Sequence, residues 1–164
     1  MENQNNNQNE QDMGPKSFFT HANGMKTAFD LVTPGEDNDT ILVYFHGNQL
    51  NCRDRKARFA LAKALGFKIA GVSLDNFGDG DSDGVRGDVT PLDWYNQARE
   101  FIREYLMAQK GYRKFYFVGM SVGGFICTLL LRDADDIMRH CLGMLLISPA
   151  WDFPLYKLPL FSLD

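Results

Sequence analysis

The sequence lacks several features that would each place it in another class of protein. It contains no run of about 18 apolar residues, so we expect no membrane-spanning helix. Its formal net charge is −4, which argues against a protein that binds nucleic acid or anionic membrane surfaces. The first residues contain no basic segment followed by an apolar one, so we expect no secretory signal.

Cysteine is also scarce, and its spacing matches no metal site. The chain has three cysteines, Cys52, Cys127 and Cys141. An odd number without metal-ligand spacing favours reduced, mostly buried thiols, which are typical of intracellular proteins. We therefore predict a cytoplasmic protein, and we expect it to hold no metal and no cofactor.

The sequence does contain enough apolar material for one globular domain. With 164 residues, of which 45% are hydrophobic, the chain is expected to bury a single core. Residues 1–16 are rich in asparagine and glutamine, which cannot bury apolar surface, so we predict a disordered tail there. An interaction or aggregation-prone segment is the alternative for this tract. The folded domain is predicted over residues 17–164.

Turn signals and apolar runs predict the strands. Asn23-Gly24, a dipeptide favoured in tight turns, separates the two arms of a predicted hairpin. Continuous apolar runs, which are typical of strands covered on both faces, predict the others. The predicted strands are Ser17–His21, Met25–Val32, Thr40–Phe45, Phe67–Leu74, Lys114–Val118 and Leu142–Ile147.

Helical spacing and capping residues predict the helices between these strands. The predicted helices are Asp54–Leu65, Thr90–Gln109 and Val122–Leu131. Gly66 stands where a C-cap would follow the first helix, and Thr90 and Pro91 suit the N-cap and first position of the second. The buried face expected for the second helix is Trp94, Ala98, Phe101, Ile102 and Tyr105. Because strands and helices alternate after residue 40, we predict an α/β fold with a mostly parallel sheet, helices on both faces and an N-terminal antiparallel hairpin.

The strongest functional signal is G-x-S-x-G between a predicted strand and a predicted helix. Gly119 and Gly123 flank Ser121 at two residues on either side, which allows close backbone approach in a sharp turn. Such a nucleophile elbow exposes the serine hydroxyl above the sheet, next to a helix N-terminus that favours developing negative charge. An ordinary glycine-rich turn with a capping serine is the alternative.

Two further motifs follow predicted strands. His46-Gly47-Asn48 comes after Thr40–Phe45, and we expect His46 to be a structural histidine rather than a base. The segment 75–84 has the pattern D-x-x-G-x-G-x-S-x-G and follows the next strand. Its aspartates at 79, 81 and 83 also match the start of a calcium loop, but Thr90 stands where a bidentate glutamate is needed.

Together the three motifs resemble those of the α/β-hydrolase superfamily, specifically the serine hydrolases that include acyl-protein thioesterases and carboxylesterases. The resemblance covers about residues 17–160, and Gly143–Pro154 is similar to the strand and loop that follow the nucleophile helix there. It implies that Ser121 is the nucleophile. It also implies that the backbone N–H groups of Val122 and Asn48, with Gly47 allowing the turn, form the oxyanion hole.

The resemblance further implies an acid and then a histidine after the nucleophile. Asp152 is the candidate acid, because it follows a strand's C-terminal end. Only His140 follows Ser121, and we expect it at the opposite edge of the sheet, while His21 lies in the hairpin. No catalytic histidine is therefore identified, and the chain is expected to be truncated, with the C-terminal strands of the fold missing.

The predicted function is a serine hydrolase that acts on a small acyl ester or thioester through an acyl-enzyme on Ser121. Without a histidine and an acid we expect this chain to be weak or inactive. The alternative is a catalytically idle remnant that binds a partner or an apolar ligand. The C-terminal WDFPLYKLPLFSLD is rich in aromatic and leucine residues and is a candidate partner-binding or acyl-covering segment.

Overall fold

The computed structural model describes residues 16–35 and 38–149, and the elements run in the order that the sequence predicts. The strands are β1 Ser17–Thr20, β2 Lys26–Val32, β3 Thr40–Phe45, β4 Ala70–Leu74, β5 Lys114–Met120 and β6 Cys141–Ile147. The helices are α1 Arg55–Gly66, α2 Pro91–Glu100, which continues as a π-helix over Phe101–Gln109, α3 Val122–Asp133 and the short α4 Asp135–Met138. Candidate acid Asp152, the apolar C-terminal segment and most of the predicted tail lie outside the described residues.

One sheet of six strands, in the order β1-β2-β4-β3-β5-β6, organises the described residues. Strands β4, β3, β5 and β6 are parallel, and the β1–β2 hairpin joins β4 in antiparallel orientation. The predicted α/β class with a mostly parallel sheet and an N-terminal antiparallel hairpin is therefore confirmed. This order places β3 and β5 side by side, so the loops after both strands meet at one edge of the sheet.

The centre of the sheet is buried because β3 and β4 are covered on both faces. All six residues of β3 and all five of β4 are buried, which explains why both read as continuous apolar runs. The larger core cluster packs α2, the π-helix and α3 against one face, and a smaller cluster packs α1 against the other. All three cysteines are free, and burial raises the pKa of the Cys52 and Cys127 thiols.

The start of α1 was predicted correctly, and its end was not. Asp54 caps the helix, since its side chain accepts hydrogen bonds from the backbone N–H groups of Lys56 and Ala57. The C-cap expected at Gly66 is wrong, because Gly66 is still helical and Lys68 adopts the left-handed conformation (φ 57°). As a result β4 begins at Ala70, three residues later than the predicted strand.

The second helix changes its winding halfway along. Thr90 forms a capping box with Asp93, with Pro91 in the first turn, as the sequence indicates. From Phe101 the helix is a π-helix, in which backbone hydrogen bonds join residues five positions apart, and this winding was not predicted. Leu106 is fully buried, and Tyr105, expected on the inner face, is partly buried and packs against the larger core cluster.

None of the helices in residues 16–35 and 38–149 is long and apolar enough to span a membrane.

Candidate active site

Ser121 sits in the turn between β5 and α3, at the C-terminal edge of the sheet. Its backbone has φ 53° and ψ −115°, a region that non-glycine residues rarely occupy. The Ser121 N–H donates to the carbonyl of Ile147 (2.9 Å), which ties the turn to the end of β6. The side chain is partly exposed and makes no capping hydrogen bond to α3, so the hydroxyl is not used to begin the helix.

The strained turn exists because backbone segments approach one another where the motif has glycine. A Cβ on Gly119 would lie 2.5 Å from the Gly123 carbonyl oxygen and 2.7 Å from Cys127 Sγ. A Cβ on Gly123 would overlap the carbonyl of Phe45 and lie 2.8 Å from that of His46. Each glycine therefore faces a backbone carbonyl, which cannot shift without moving the chain. The glycine spacing therefore reflects close packing of α3 against the ends of β3 and β5.

The loop after β3 is brought against Ser121. A Cβ on Gly47 would lie 3.4 Å from Ser121 Cβ and 3.0 Å from Met120 Cε. Asn48 follows Gly47 directly, and Val122 is the first residue of α3. Within the described part of the chain, neither the Asn48 nor the Val122 N–H donates to another backbone group. The loop that begins at Gly47 therefore lies beside Ser121, and Val122 follows Ser121 in the chain.

Arg86, which the sequence analysis does not identify, holds the side chain of Asn48. Its Nη2 donates to Asn48 Oδ1 (2.6 Å) and also contacts Asp79 Oδ1 (2.8 Å). Burial raises the pKa of Asp79, and the Arg86 charge opposes that rise. Composition is the one signal that points to it, because a loop with several aspartates, of which Asp75 and Asp79 are buried, needs a nearby cation.

His46 is fully buried, and both of its ring nitrogens have partners. Because the Asn76 N–H donates to Nε2 (3.2 Å), Nε2 is an acceptor, and Nδ1 donates to the carbonyl of Gly47 (2.7 Å). This arrangement needs the neutral imidazole. His46 thus fastens the Gly47 loop to the loop after β4, which is a structural role.

Asp75, directly after β4, organises the glycine-rich loop that the sequence singled out. Its fully buried carboxylate accepts from the backbone N–H groups of Cys52 (2.5 Å) and Asp81 (2.8 Å) and from Lys16 Nζ (3.1 Å). A Cβ on Gly80 (φ 54°) would overlap this carboxylate, which explains that glycine. Lys16, which was assigned to the disordered tail, has only 13% of its side chain exposed and belongs to the folded part.

The calcium alternative finds no support in the loop geometry. The three aspartates have separate partners: Asp79 contacts Arg86, Asp81 contacts Lys16, and Asp83 accepts from the backbone N–H of Lys26. Among the described residues, no three ligating side chains are grouped as a metal would require.

The other two histidines of the chain lie away from the elbow. The His140 carbonyl accepts from the N–H of Phe115, at the start of β5, so His140 lies at the opposite edge of the sheet from Ser121. His21 is buried beneath the hairpin, where Nε2 lies 2.7 Å from Thr27 Oγ1 and Nδ1 lies 3.1 Å from Glu100 Oε2. His46, His21 and His140 are the three histidines of the chain. The partners described above engage or place each of them away from the Ser121 hydroxyl.

An apolar groove of about 700 Å³ lies on the face of the sheet that carries α1. Its floor is formed by Leu42, Tyr44, Val118, Leu145 and Ile147, and Phe59 and Phe67 on its rim are 65% and 69% exposed. The apolar C-terminal segment, a candidate for binding a partner or covering an acyl site, lies outside the described residues.

A mostly parallel sheet with a strained serine in a strand–turn–helix elbow defines an α/β-hydrolase. Residues 36–163 match the family described as serine aminopeptidase, S33, and the chain therefore belongs to this family of α/β-hydrolases. No curated protein sequence matches the chain.

Solved structures of hydrolases share this fold. Est1E from Butyrivibrio proteoclasticus, with ferulic acid bound, aligns with a TM-score of 0.71 and 20% identity, over 82% of this chain and 53% of that one. A hydrolase from Pseudomonas aeruginosa PA01 aligns at 0.68 and 21%, over 88% and 50%. The esterase EaEST from Exiguobacterium antarcticum aligns at 0.66 and 19%, over 84% and 46%. The chain spans between 43% and 65% of the length of such structures.

Proposed function

We propose that this chain carries the nucleophile and the oxyanion hole of a serine hydrolase that cleaves small carboxylic esters or thioesters. The observation that carries the proposal is the conformation of Ser121, held at φ 53° with a hydroxyl that makes no capping bond. Strain of this kind, about 1–3 kcal/mol, persists only where the surroundings impose it, and it clusters at functional sites. A serine that served only as a helix cap would bond to its own helix.

The chemistry follows from the neighbours of Ser121. Its Oγ attacks the acyl carbonyl carbon, and the carbonyl oxygen becomes an oxyanion that accepts from the N–H groups of Val122 and Asn48. The bond to the leaving alcohol or thiol then breaks, and the proton lost by Oγ passes to that leaving group. Water attacks the resulting acyl-enzyme, releases the carboxylic acid and returns the proton to Ser121.

This cycle needs a base, which none of the three histidines of the chain supplies. His46 has both nitrogens engaged, His21 is buried beneath the hairpin, and His140 lies at the opposite edge. A serine hydrolase without its base keeps roughly 10³–10⁴-fold acceleration over water from the oxyanion hole and binding. We therefore expect slow acylation by this chain and acceleration by an added base.

Esters and thioesters are the proposed substrates because their leaving groups depart without prior protonation more readily than an amine does. The names of two solved structures with this fold, an esterase and Est1E with ferulic acid bound, agree with a carboxylic acyl group. The peptide chemistry in the family description is the competing substrate class.

The test is intact-mass measurement after treatment with a fluorophosphonate, a probe that captures activated serines. We expect one adduct, at a rate that rises between about pH 7 and pH 9 and with added imidazole, which can act as the absent base. Ser121→Ala should remove the adduct. The matched control is Ser148→Ala, because Ser148 is also an exposed serine with positive φ (45°) after a parallel strand, and this variant should keep the adduct.

No adduct on the folded protein, even with imidazole, would contradict the proposal and favour the idle remnant that binds an apolar ligand. An adduct that survives in Ser121→Ala would show that another serine reacts.

A further inference from the structure

We propose that Arg86 is a positioning residue, which holds the loop of residues 47–50 in the conformation that aims the Asn48 N–H at the acyl oxygen. It does so by joining Asn48 to Asp79 of the glycine-rich loop. The inference deepens the proposed function and rests on it for the role of the Asn48 N–H. Whether Arg86 restrains the loop of residues 47–50 can be tested separately.

The contacts form a chain from the core to the loop. Asp79 is 5% exposed in its side chain and anchors Arg86, with Oδ1 2.8 Å from Nη2. The same nitrogen donates to Asn48 Oδ1 at 2.6 Å. One guanidinium nitrogen therefore connects a buried carboxylate to an exposed side chain on the candidate oxyanion loop.

The backbone of Arg86 is itself fixed. A Cβ on Gly78 (φ 78°) would lie 2.8 Å from both the Cα and the N of Arg86, so the two loop segments are in close contact. Gly78 is in turn held by the bond from its N–H to the Asp83 carbonyl (3.0 Å). Arg86 thus projects from a rigid base, as a positioning residue must.

The loop at residues 47–50 has few other restraints. In the part of the chain that the structure describes, the backbone of residues 48–50 makes no hydrogen bond with other backbone groups. Gln49 takes a left-handed conformation (φ 60°), which costs free energy. Leu50 packs against the smaller core cluster and restrains the end of the loop. Two side-chain hydrogen bonds among the described residues restrain its start: His46 Nδ1 donates to the Gly47 carbonyl, and Arg86 donates to Asn48. The first restrains the loop before Asn48, and the second restrains Asn48 itself.

A competing explanation is that Arg86 only neutralises the charge of Asp79. Lysine can neutralise a carboxylate, but its compact, strongly hydrated ammonium lies on a flexible stem, whereas Arg86 contacts both Asp79 and Asn48 from a rigid, planar guanidinium. If Arg86 acts through Asn48, removing both side chains should cost no more than removing either. These differences separate positioning from neutralisation.

The experiment compares Arg86→Met, Asn48→Ala and the double variant by backbone ¹⁵N relaxation and by the rate of fluorophosphonate labelling. We expect the order parameters of residues 47–50 to fall from about 0.85, typical of rigid backbone, to below about 0.6 in each single variant, with no further fall in the double variant. The labelling rate should fall by about 10–100-fold, which is at most the fall caused by removing one oxyanion donor. Arg86→Lys should not restore either value.

Arg103→Met is the matched control. Arg103 is equally exposed (35%) and pairs with Asp136 through two nitrogens, but it contacts neither loop of the candidate site. This variant should leave the order parameters of residues 47–50 and the labelling rate unchanged.

Unchanged order parameters at residues 47–50 in Arg86→Met would overturn the inference. So would additive effects in the double variant, or full recovery with Arg86→Lys, which would assign Arg86 to charge neutralisation. If the unaltered protein takes no adduct, the proposed function fails, and the order parameters still decide whether Arg86 restrains the loop.

Discussion

Two regions of this molecule place a hydroxyl group in a functional-looking arrangement, and they are built in opposite ways. Ser121 is partly exposed and strained; among the described residues its hydroxyl bonds no imidazole, and the N–H groups of Asn48 and Val122 donate to no other backbone group. Thr27 is fully buried, and its hydroxyl lies 2.7 Å from His21 Nε2. The other nitrogen of His21 lies 3.1 Å from Glu100, which completes a hydroxyl–imidazole–carboxylate series.

The second region has the distances of a catalytic triad and cannot act as one. Gln97 Nε2 donates to Thr27 Oγ1 (2.7 Å), the Thr27 hydroxyl and His21 Nε2 share a hydrogen bond (2.7 Å), and His21 Nδ1 faces Glu100. The Thr27 hydroxyl is enclosed in the core, and no substrate can reach a hydroxyl of zero exposure. The comparison teaches that access and anion donors, rather than the distances between three side chains, distinguish a reactive hydroxyl.

The largest effect should come from breaking the backbone packing of the Ser121 region. Gly123→Ala would drive a Cβ into the Phe45 carbonyl, so we expect a loss of stability above about 3 kcal/mol or failure to fold. Gly87→Ala is the control, since a Cβ there meets nothing within 4 Å. The measurement is urea unfolding. An equal, small change in both variants would contradict the close approach.

The next effect comes from breaking the Thr27 region. Thr27→Val keeps the shape but leaves His21 Nε2 and the Gln97 amide without their buried partner, which should cost about 1–3 kcal/mol. Labelling of Ser121 in the folded fraction should not change, because Thr27 takes no part in it.

Thr128→Val is the matched control for this variant. The Thr128 hydroxyl only donates to the carbonyl of Gly124 one helical turn earlier, and its loss should cost less than about 1 kcal/mol. If Thr27→Val abolished labelling at full stability, the buried series would have a catalytic role and the comparison would fail.

The sequence predicted the Ser121 region far better than the Thr27 region, for a physical reason. The elbow is a local feature: its glycine spacing and its place between a strand and a helix are visible within six residues. The alternation of strands and helices along the chain, which predicts a parallel sheet, also followed from local periodicity. The buried series joins residues of the hairpin to residues of α2, about 70 positions away, as the Gln97–Thr27 bond shows. Nothing in a single sequence marks such a pair.

The errors have similar causes. The π-helix was missed because a period of 3.6 residues was assumed throughout the second helix. As a result the fully buried Leu106 was left out of the expected inner face. Arg86 was missed because its partners come from two different loops, Asn48 and Asp79. The glycine C-cap failed because Lys68 accepted the left-handed position instead.

The smallest effect, and the finest test of the comparison, is the pH dependence that the buried series confers. Burial lowers the pKa of His21 from its usual value of about 6.5, and Glu100 opposes this only partly. The unfolded chain therefore binds a proton at His21 more readily than the folded chain does. The contribution of His21 to the free energy of unfolding is fully present above pH 6.5 and is lost as the pH falls through that value. His21→Gln should flatten the stability change between pH 7.5 and 5.5, measured by urea unfolding, whereas Glu100→Gln should steepen it because the carboxylate that favours the imidazolium is gone. A flatter profile in Glu100→Gln would mean that His21 is charged in the folded protein, which would contradict a neutral His21 buried between Thr27 and Glu100.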